Sequence, residues 1–213
     1  MAERRLNHRH RNRFVQVEDD PARPRLFFAV PIPDPARQQV ASLMETVQSS
    51  VGDGSAKIRW VRVEGLHLTL RFLGPTPVER VPELAAALAT VASGIAPFPV
   101  TISGAGAFPG PLHPRTLWLR IEVGADQLSE LAAALGAVAA ADGSQLETRP
   151  FAPHLTIART DGLRSAPEAA QALISAAETL EAPFTVERVL LYRSVLGRGP
   201  ARYESVAEAA LEG

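Results

Sequence analysis

Two of the chain's five histidines sit in the same tripeptide, once as His67-Leu68-Thr69 and again as His154-Leu155-Thr156. Each copy is followed by another aliphatic residue, Leu70 or Ile157. Apolar and polar residues alternate through both stretches, and Gly65 or Pro153 stands in front, so each reads as a β-strand. Side chains alternate between faces along a strand, which sets His67 beside Thr69 and His154 beside Thr156, with the aliphatic residues turned the other way. An imidazole titrates near neutrality and can serve as base or acid. Two imidazole-hydroxyl pairs facing one another suit a phosphodiester: the hydroxyls hold the non-bridging oxygens, one ring activates water, and the other protonates the departing alkoxide. That chemistry calls for no metal, and neither motif carries carboxylates on its polar face to complete a ligand set. The repeat leaves open which ring is the base.

The surrounding elements follow from local pattern. Arg25 to Val30 reads as a buried strand stopped by Pro31 and Pro33, and a helix runs from Pro35 to about Ser49 behind Asp34 as its N-cap. Lys57 to Val63 reads as a strand that turns at Glu64-Gly65 into the first motif. A helix over Val78–Ser93, strands over Phe98–Ser103 and Arg115–Val123, and a helix over Ala125–Ala141 follow. The Gly/Pro stretch GAGAFPGPLHP separates the two strands as a loop. After the second motif come a helix over Pro167–Leu180 and two strands, Phe184–Val195 and Arg202–Ala207, joined by a turn at residues 196–200. Strands adjoining in sequence predict an α+β fold with antiparallel pairing. One motif strand lies in each half, so a pseudo-twofold relation would set the two strands across a central cleft.

A chain of 213 residues, 46% hydrophobic, can bury one substantial core. It holds no long apolar run and no apolar segment behind the Arg-rich start, so no membrane span or secretory leader is expected. With no Cys and a formal net charge of −1, disulfides, thiolate metal sites and a globally basic nucleic-acid binder are set aside. A cytoplasmic monomer is expected. Residues 1–24 are basic, then acidic, and read as a disordered Arg-rich tail; residues 25–213 read as a single bilobal domain.

The paired H-x-T motifs, the opening RLFFAVPIPDPAR, and the HLTLRFLG and RPFAPHLTIAR runs resemble the two-histidine (2H) phosphoesterases. Within these the chain looks most like the RNA 2′,3′-cyclic phosphodiesterase (2′-5′ RNA ligase) family, over about residues 25 to 207. The resemblance implies a bilobal fold of two pseudo-twofold-related antiparallel sheets flanked by helices. It also implies metal-independent, cofactor-free hydrolysis of a terminal RNA 2′,3′-cyclic phosphate to a 2′-phosphomonoester. His67 would be the proton donor to O3′ and His154 the proton acceptor, with Thr69, Thr156 and Arg159 binding the phosphate. An ideal strand turns Arg159, three positions past Thr156, away from the site unless the strand ends or bulges after Ala158. Arg71, two positions past Thr69, is geometrically the better placed cation.

Other readings of the same site are 2′-5′ ligation by the reverse reaction, a phosphodiesterase for small cyclic phosphates, and a silent module that binds RNA ends. Away from the motifs, His113 reads as structural, Trp60 and Trp118 as packing, and Phe151 as core with base stacking as the alternative. Gly104-x-Gly106 lacks the third glycine and the context of a dinucleotide loop. His8 and His10 lack a carboxylate neighbour and are weak metal ligands.

Overall fold

β1 (Arg25–Pro31) is apolar on both faces because it is covered on both. Leu26, Phe28 and Val30 join the main apolar core, while Phe27 and Ala29 are buried on the other side of the strand. In this computed structural model, which describes residues 20–51, 58–140, 151–160, 167–195 and 201–213, β1 is an inner strand of the first of two antiparallel sheets. That sheet has the order β3-β1-β8-β9, with β3 at His67–Pro75, β8 at Arg188–Val195 and β9 at Arg202–Ala210. The second has the order β2-β6-β5-β4-β7, with β2 at Ile58–Trp60, β4 at Phe98–Phe108, β5 at Thr116–Val123, β6 at His154–Thr160 and β7 at Ala182–Val186. The runs β3-β1-β8-β9 and β6-β5-β4-β7 correspond strand for strand, and the two motif strands occupy equivalent places. The α+β class and paired antiparallel sheets are those expected.

Four helices cover one face of each sheet and exchange sides in doing so. α1 (Asp34–Val51) follows a strand of the first sheet but packs on β7 and on α4 (Pro167–Ala176), which itself covers β4 of the second. α3 (Ala125–Ala139) follows β5 but packs on β3 and on α2 (Val81–Ser93), which covers β8 and β9. Leu84 and Leu88 of α2, Leu128 and Leu131 of α3, Val40 and Val47 of α1, and Leu173 of α4 meet the strand residues in one continuous apolar cluster. Neither half can unfold its helices without uncovering the other's sheet. No helix among the described residues is long and apolar enough to cross a membrane.

Beyond a strand that ends at Trp60 rather than Val63 and a helix that ends at Ala176 rather than Leu180, three departures from sequence expectation change the fold. Phe184–Val195 is not one strand: Val186 ends β7 in the second sheet and Arg188 opens β8 in the first, so the chain changes sheets at Glu187. The stretch read as a loop from Gly104 remains in β4 as far as Phe108. Order also begins before Arg25, since the carbonyls of Ala22 and Pro24 accept hydrogen bonds from the N–H groups of Val78 and Thr76. The remainder of the expected tail, residues 1–19, and the turn expected at 196–200 lie outside the described residues.

The two glycines of β4 explain why that strand is not a loop. Gly104 has φ +67, and a Cβ there would lie 2.4 Å from the Arg120 guanidinium; a Cβ at Gly106 would lie 2.4 Å from the Trp118 ring. The missing side chains let two large residues of β5 lie flat across β4. Gly106→Ala is expected to displace the indole and lower stability by about 1–3 kcal/mol, read as a lower urea midpoint at unchanged slope. Gly136→Ala is the contrast: inside α3 nothing lies within 4 Å of the added methyl. It should raise stability by about 0.8–1.0 kcal/mol through helix propensity alone.

Candidate active site

Both motif strands divide their residues between core and cleft. Leu68 and Leu70 of β3, and Leu155 and Ile157 of β6, are buried in the apolar cluster, while His67, Thr69, His154 and Thr156 emerge on the opposite faces. β3 and β6 belong to different sheets yet approach within 8 Å, Cα to Cα. The crossing from β2 to β3 is tied to both sheets. Val61 N–H donates to the Ile157 carbonyl, and the Leu66 carbonyl accepts from Ile32 N–H.

Each histidine is held by the same local device. His67 Nδ1 lies 2.7 Å from the Gly65 carbonyl oxygen, and His154 Nδ1 lies 2.7 Å from that of Ala152. A carbonyl can only accept, so Nδ1 carries the proton in both rings and Nε2 is the nitrogen presented to a substrate. The threonines are equally telling. Thr46, Thr76, Thr90 and Thr160 donate their hydroxyls to backbone carbonyls. Thr69 and Thr156 make no such bond in the described structure, and their hydroxyls remain available.

The surroundings of the two rings differ. His67 sits in an aromatic cage: its ring centroid is 4.9 Å from Phe27, 4.7 Å from Tyr203 in an edge contact, and 6.0 Å from Tyr192. Burial in that cage pulls the His67 pKa down; the Gly65 hydrogen bond opposes the shift, the Arg159 charge adds to it, and the result is about 4. The same burial raises the ordinary pKa of Tyr192 and of Tyr203, with Arg159 opposing the rise at Tyr203. His154 meets a flatter wall, where Phe108 stacks on Trp118 at 4.9 Å and turns its ring edge-on to His154 at 5.2 Å. Phe108 is 40% exposed, so one aromatic face is open to a ligand.

Bulges decide where the arginines go. Opposite Leu117 and Trp118 of β5 stand Ala158 and Thr156 of β6, so Ile157 is an extra residue. It and Ala158 both turn into the core, and alternation resumes one position late. Arg159 thereby returns to the face of His154 and Thr156, where it donates to Thr116 Oγ1 at 3.5 Å. Its charge is felt at His67 and Tyr203 on the opposing sheet. In β3 one extra residue is Leu70, since Phe28 and Ala29 face Arg71 and Thr69, and a second is Leu73, since Leu26 and Phe27 face Gly74 and Phe72. The even-offset argument for Arg71 assumed an unbroken ladder; across the bulge its register partner is Phe28, on the core side of β1. Phe72, partnered by Phe27, takes the cleft side and is 66% exposed.

Several cleft residues were not singled out from sequence. Trp118, read as packing, lies on the cleft face opposite Thr156. The chain's two tyrosines, Tyr192 and Tyr203, both line the His67 cage; their scarcity was the available signal. Phe151 and Trp60 do pack against the core, and His113 is exposed in the β4–β5 turn. Among the described residues no three His, Cys, Asp or Glu side chains converge on a possible metal position.

This architecture has known counterparts. The 2′-5′ RNA ligase superfamily matches residues 32–198. A Geobacillus stearothermophilus protein named RNA 2′,3′-cyclic phosphodiesterase is 35% identical over 192 residues, which are 88% of this chain and 57% of that relative. The chain thus spans little more than half of that relative's length. A protein of the same name from Escherichia coli is 31% identical over 190 residues, 88% of this chain and 96% of its own. The crystal structure of E. coli LigT complexed with 3′-AMP matches with TM-score 0.69 and 27% identity, over 90% of this chain and 99% of that one. Two antiparallel sheets carrying duplicated His-x-Thr strands and a family match over most of the sequence lead to one conclusion: the chain belongs to the 2′-5′ RNA ligase (2H phosphoesterase) superfamily.

Proposed function

We propose that the protein hydrolyses terminal 2′,3′-cyclic phosphodiesters of RNA to 2′-phosphomonoesters by acid–base catalysis between two histidines. The observation that carries this is the duplicated device itself. Two rings are each locked as Nδ1–H by a carbonyl two residues back, and each stands beside an uncommitted threonine on a strand that approaches its counterpart. The names of the G. stearothermophilus and E. coli relatives, and the nucleotide in E. coli LigT, support the same substrate class. Every residue invoked comes from one chain, and action as a cytoplasmic monomer belongs to the same proposal.

Thr69 and Thr156 would donate to the non-bridging oxygens, and Arg159 would add positive charge at the phosphate. His154 Nε2 takes a proton from water as the water oxygen bonds to phosphorus. The P–O3′ bond breaks, and His67 Nε2–H delivers its proton to O3′. The two rings end with exchanged protonation states and reset through solvent. In the empty cleft His67 is neutral at pH 7, so its role as donor depends on the substrate. A phosphate anion beside the ring favours imidazolium and also offsets the Arg159 charge that helps hold the pKa down.

His67→Ala and His154→Ala should each reduce turnover of a cyclic-phosphate-ended RNA by about 10² to 10⁴ while leaving the circular dichroism spectrum intact. Excess EDTA should leave the wild-type rate unchanged. Hydrolysis with proton delivery to O3′ predicts a 2′-phosphate product; a 3′-phosphate would reverse the orientation, and a 2′-5′ joined product would indicate the opposite direction of reaction.

The pH profile tests the His67 environment. The productive form carries one proton on the imidazole pair, so activity falls when both rings are protonated. The acidic limb of kcat/KM, which reports the free protein, is expected near pH 4. The corresponding limb of kcat, which reports the complex, should lie at higher pH because the bound anion stabilises the imidazolium. Coincident limbs at about 6.5, the ordinary histidine value, would refute the account of His67.

A further inference from the structure

β2 is a three-residue edge strand, and its middle residue carries a charge that packing does not need. Ile58 and Trp60 turn into the apolar cluster, which fixes Arg59 on the opposite face. The register pairs Arg59 with Arg159, and the next strand places Thr116 beside them. Both arginines are exposed, and neither forms an ion pair in the described structure. Like charges directly opposed on neighbouring strands are destabilising. A lone charged residue on an edge strand is explained as a guard against sheet-to-sheet pairing. That reading does not explain why the residue opposite is a second arginine, one strand inside the sheet and turned toward the cleft by a bulge. The chain is close to neutral overall, with a formal charge of −1, so this concentration of positive charge is local.

We infer that Arg59 extends the positive charge of Arg159 beyond the cyclic phosphate and binds the phosphodiester on the 5′ side of the terminal nucleotide, with Arg159 standing between the two phosphates. The inference rests on the functional reading above for the identity of the reacting group, and adds which ends are preferred. Along β6, Arg159 stands three positions past Thr156, so its Cα lies roughly 10 Å from that of Thr156 at about 3.3 Å per residue. Arg59 lies across the ladder from it on the edge strand, a further interstrand spacing of roughly 5 Å away. A nucleotide that ends in a 2′,3′-cyclic phosphate has only one neighbouring phosphodiester, and it is on the 5′ side. A nucleoside 2′,3′-cyclic monophosphate has none. The guanidinium pair therefore favours oligonucleotide ends over mononucleotides, and Arg59 is the specificity-determining member because Arg159 also influences His67.

The test compares kcat/KM for a dinucleotide ending in a 2′,3′-cyclic phosphate with kcat/KM for the matching nucleoside 2′,3′-cyclic monophosphate. Arg59→Gln should lower that ratio about tenfold, as expected on losing a charge-assisted contact. It should also reduce the salt slope of the dinucleotide reaction by about 0.7, the value for one contact with a single strand. Arg37→Gln, on α1 and outside the cleft, controls for loss of charge in general. A ratio within about twofold of wild type, or an equal fall in Arg37→Gln, overturns the subsite. If the wild-type protein hydrolyses neither substrate, the functional reading falls separately. The subsite is then judged by fluorescence anisotropy with a 5′-labelled dinucleotide bearing a 2′-phosphate: weakening of about tenfold in Arg59→Gln supports it, and unchanged affinity rejects it.

Discussion

The structure depends on a demand placed on two short strands. Each must bury one face in the core and present chemistry on the other, with a period of two residues to work with. β3 meets it with Leu68 and Leu70 against His67 and Thr69, and β6 with Leu155 and Ile157 against His154 and Thr156. The core-facing leucines and isoleucine are what hold the histidine-threonine face in place, because a slip of one residue would carry the imidazoles into the apolar cluster. The bond from Nδ1 to the carbonyl two residues back then removes ring rotation and tautomer choice together. Positioning is thus local in origin but enforced by burial on the far side of the sheet.

Extra residues in the two motif strands, one in β6 and two in β3, break the equivalence of the halves. The bulge at Ile157 brings Arg159 onto the face of His154 and Thr156, whereas the one at Leu70 pairs Arg71 with Phe28 and leaves Phe72 at the cleft. The guanidinium on the β6 side then acts across the gap on His67, the ring already dehydrated by Phe27, Tyr192 and Tyr203. Near copies in sequence come to sit in unlike surroundings, and burial in one of them lowers the His67 pKa.

Stability and site geometry share the same contacts. α1 and α3 each leave the sheet they follow and pack on the other, which ties the sheets together behind the cleft. On the cleft side, Gly104 and Gly106 keep β4 low enough for Arg120 and Trp118 to lie across it, and Trp118 supports the Phe108 face beside His154. Changes in these glycines would be felt at His154 as well as in folding.

Much was legible in the order of residues. The repeated His-Leu-Thr marked the groups proposed to react, and alternation gave the strands and their shared faces. Adjacent strands separated by Ala- and Leu-rich helices gave the antiparallel α+β class. These are properties of short segments, set by backbone geometry and by the need of apolar side chains to leave water. Pairing decided the remainder. A bulge is a relation between two strands, so nothing within HLTIAR or HLTLRF alone said which arginine would reach the cleft. The change of sheets at Glu187, the strand made from the glycines of β4, and the meeting of Tyr192, Tyr203 and Phe27 around His67 all join positions far apart in the chain. The sequence by itself determined which groups could react; tertiary structure decided which of them meet and at what proton affinity, because register and desolvation exist only once the sheets have formed.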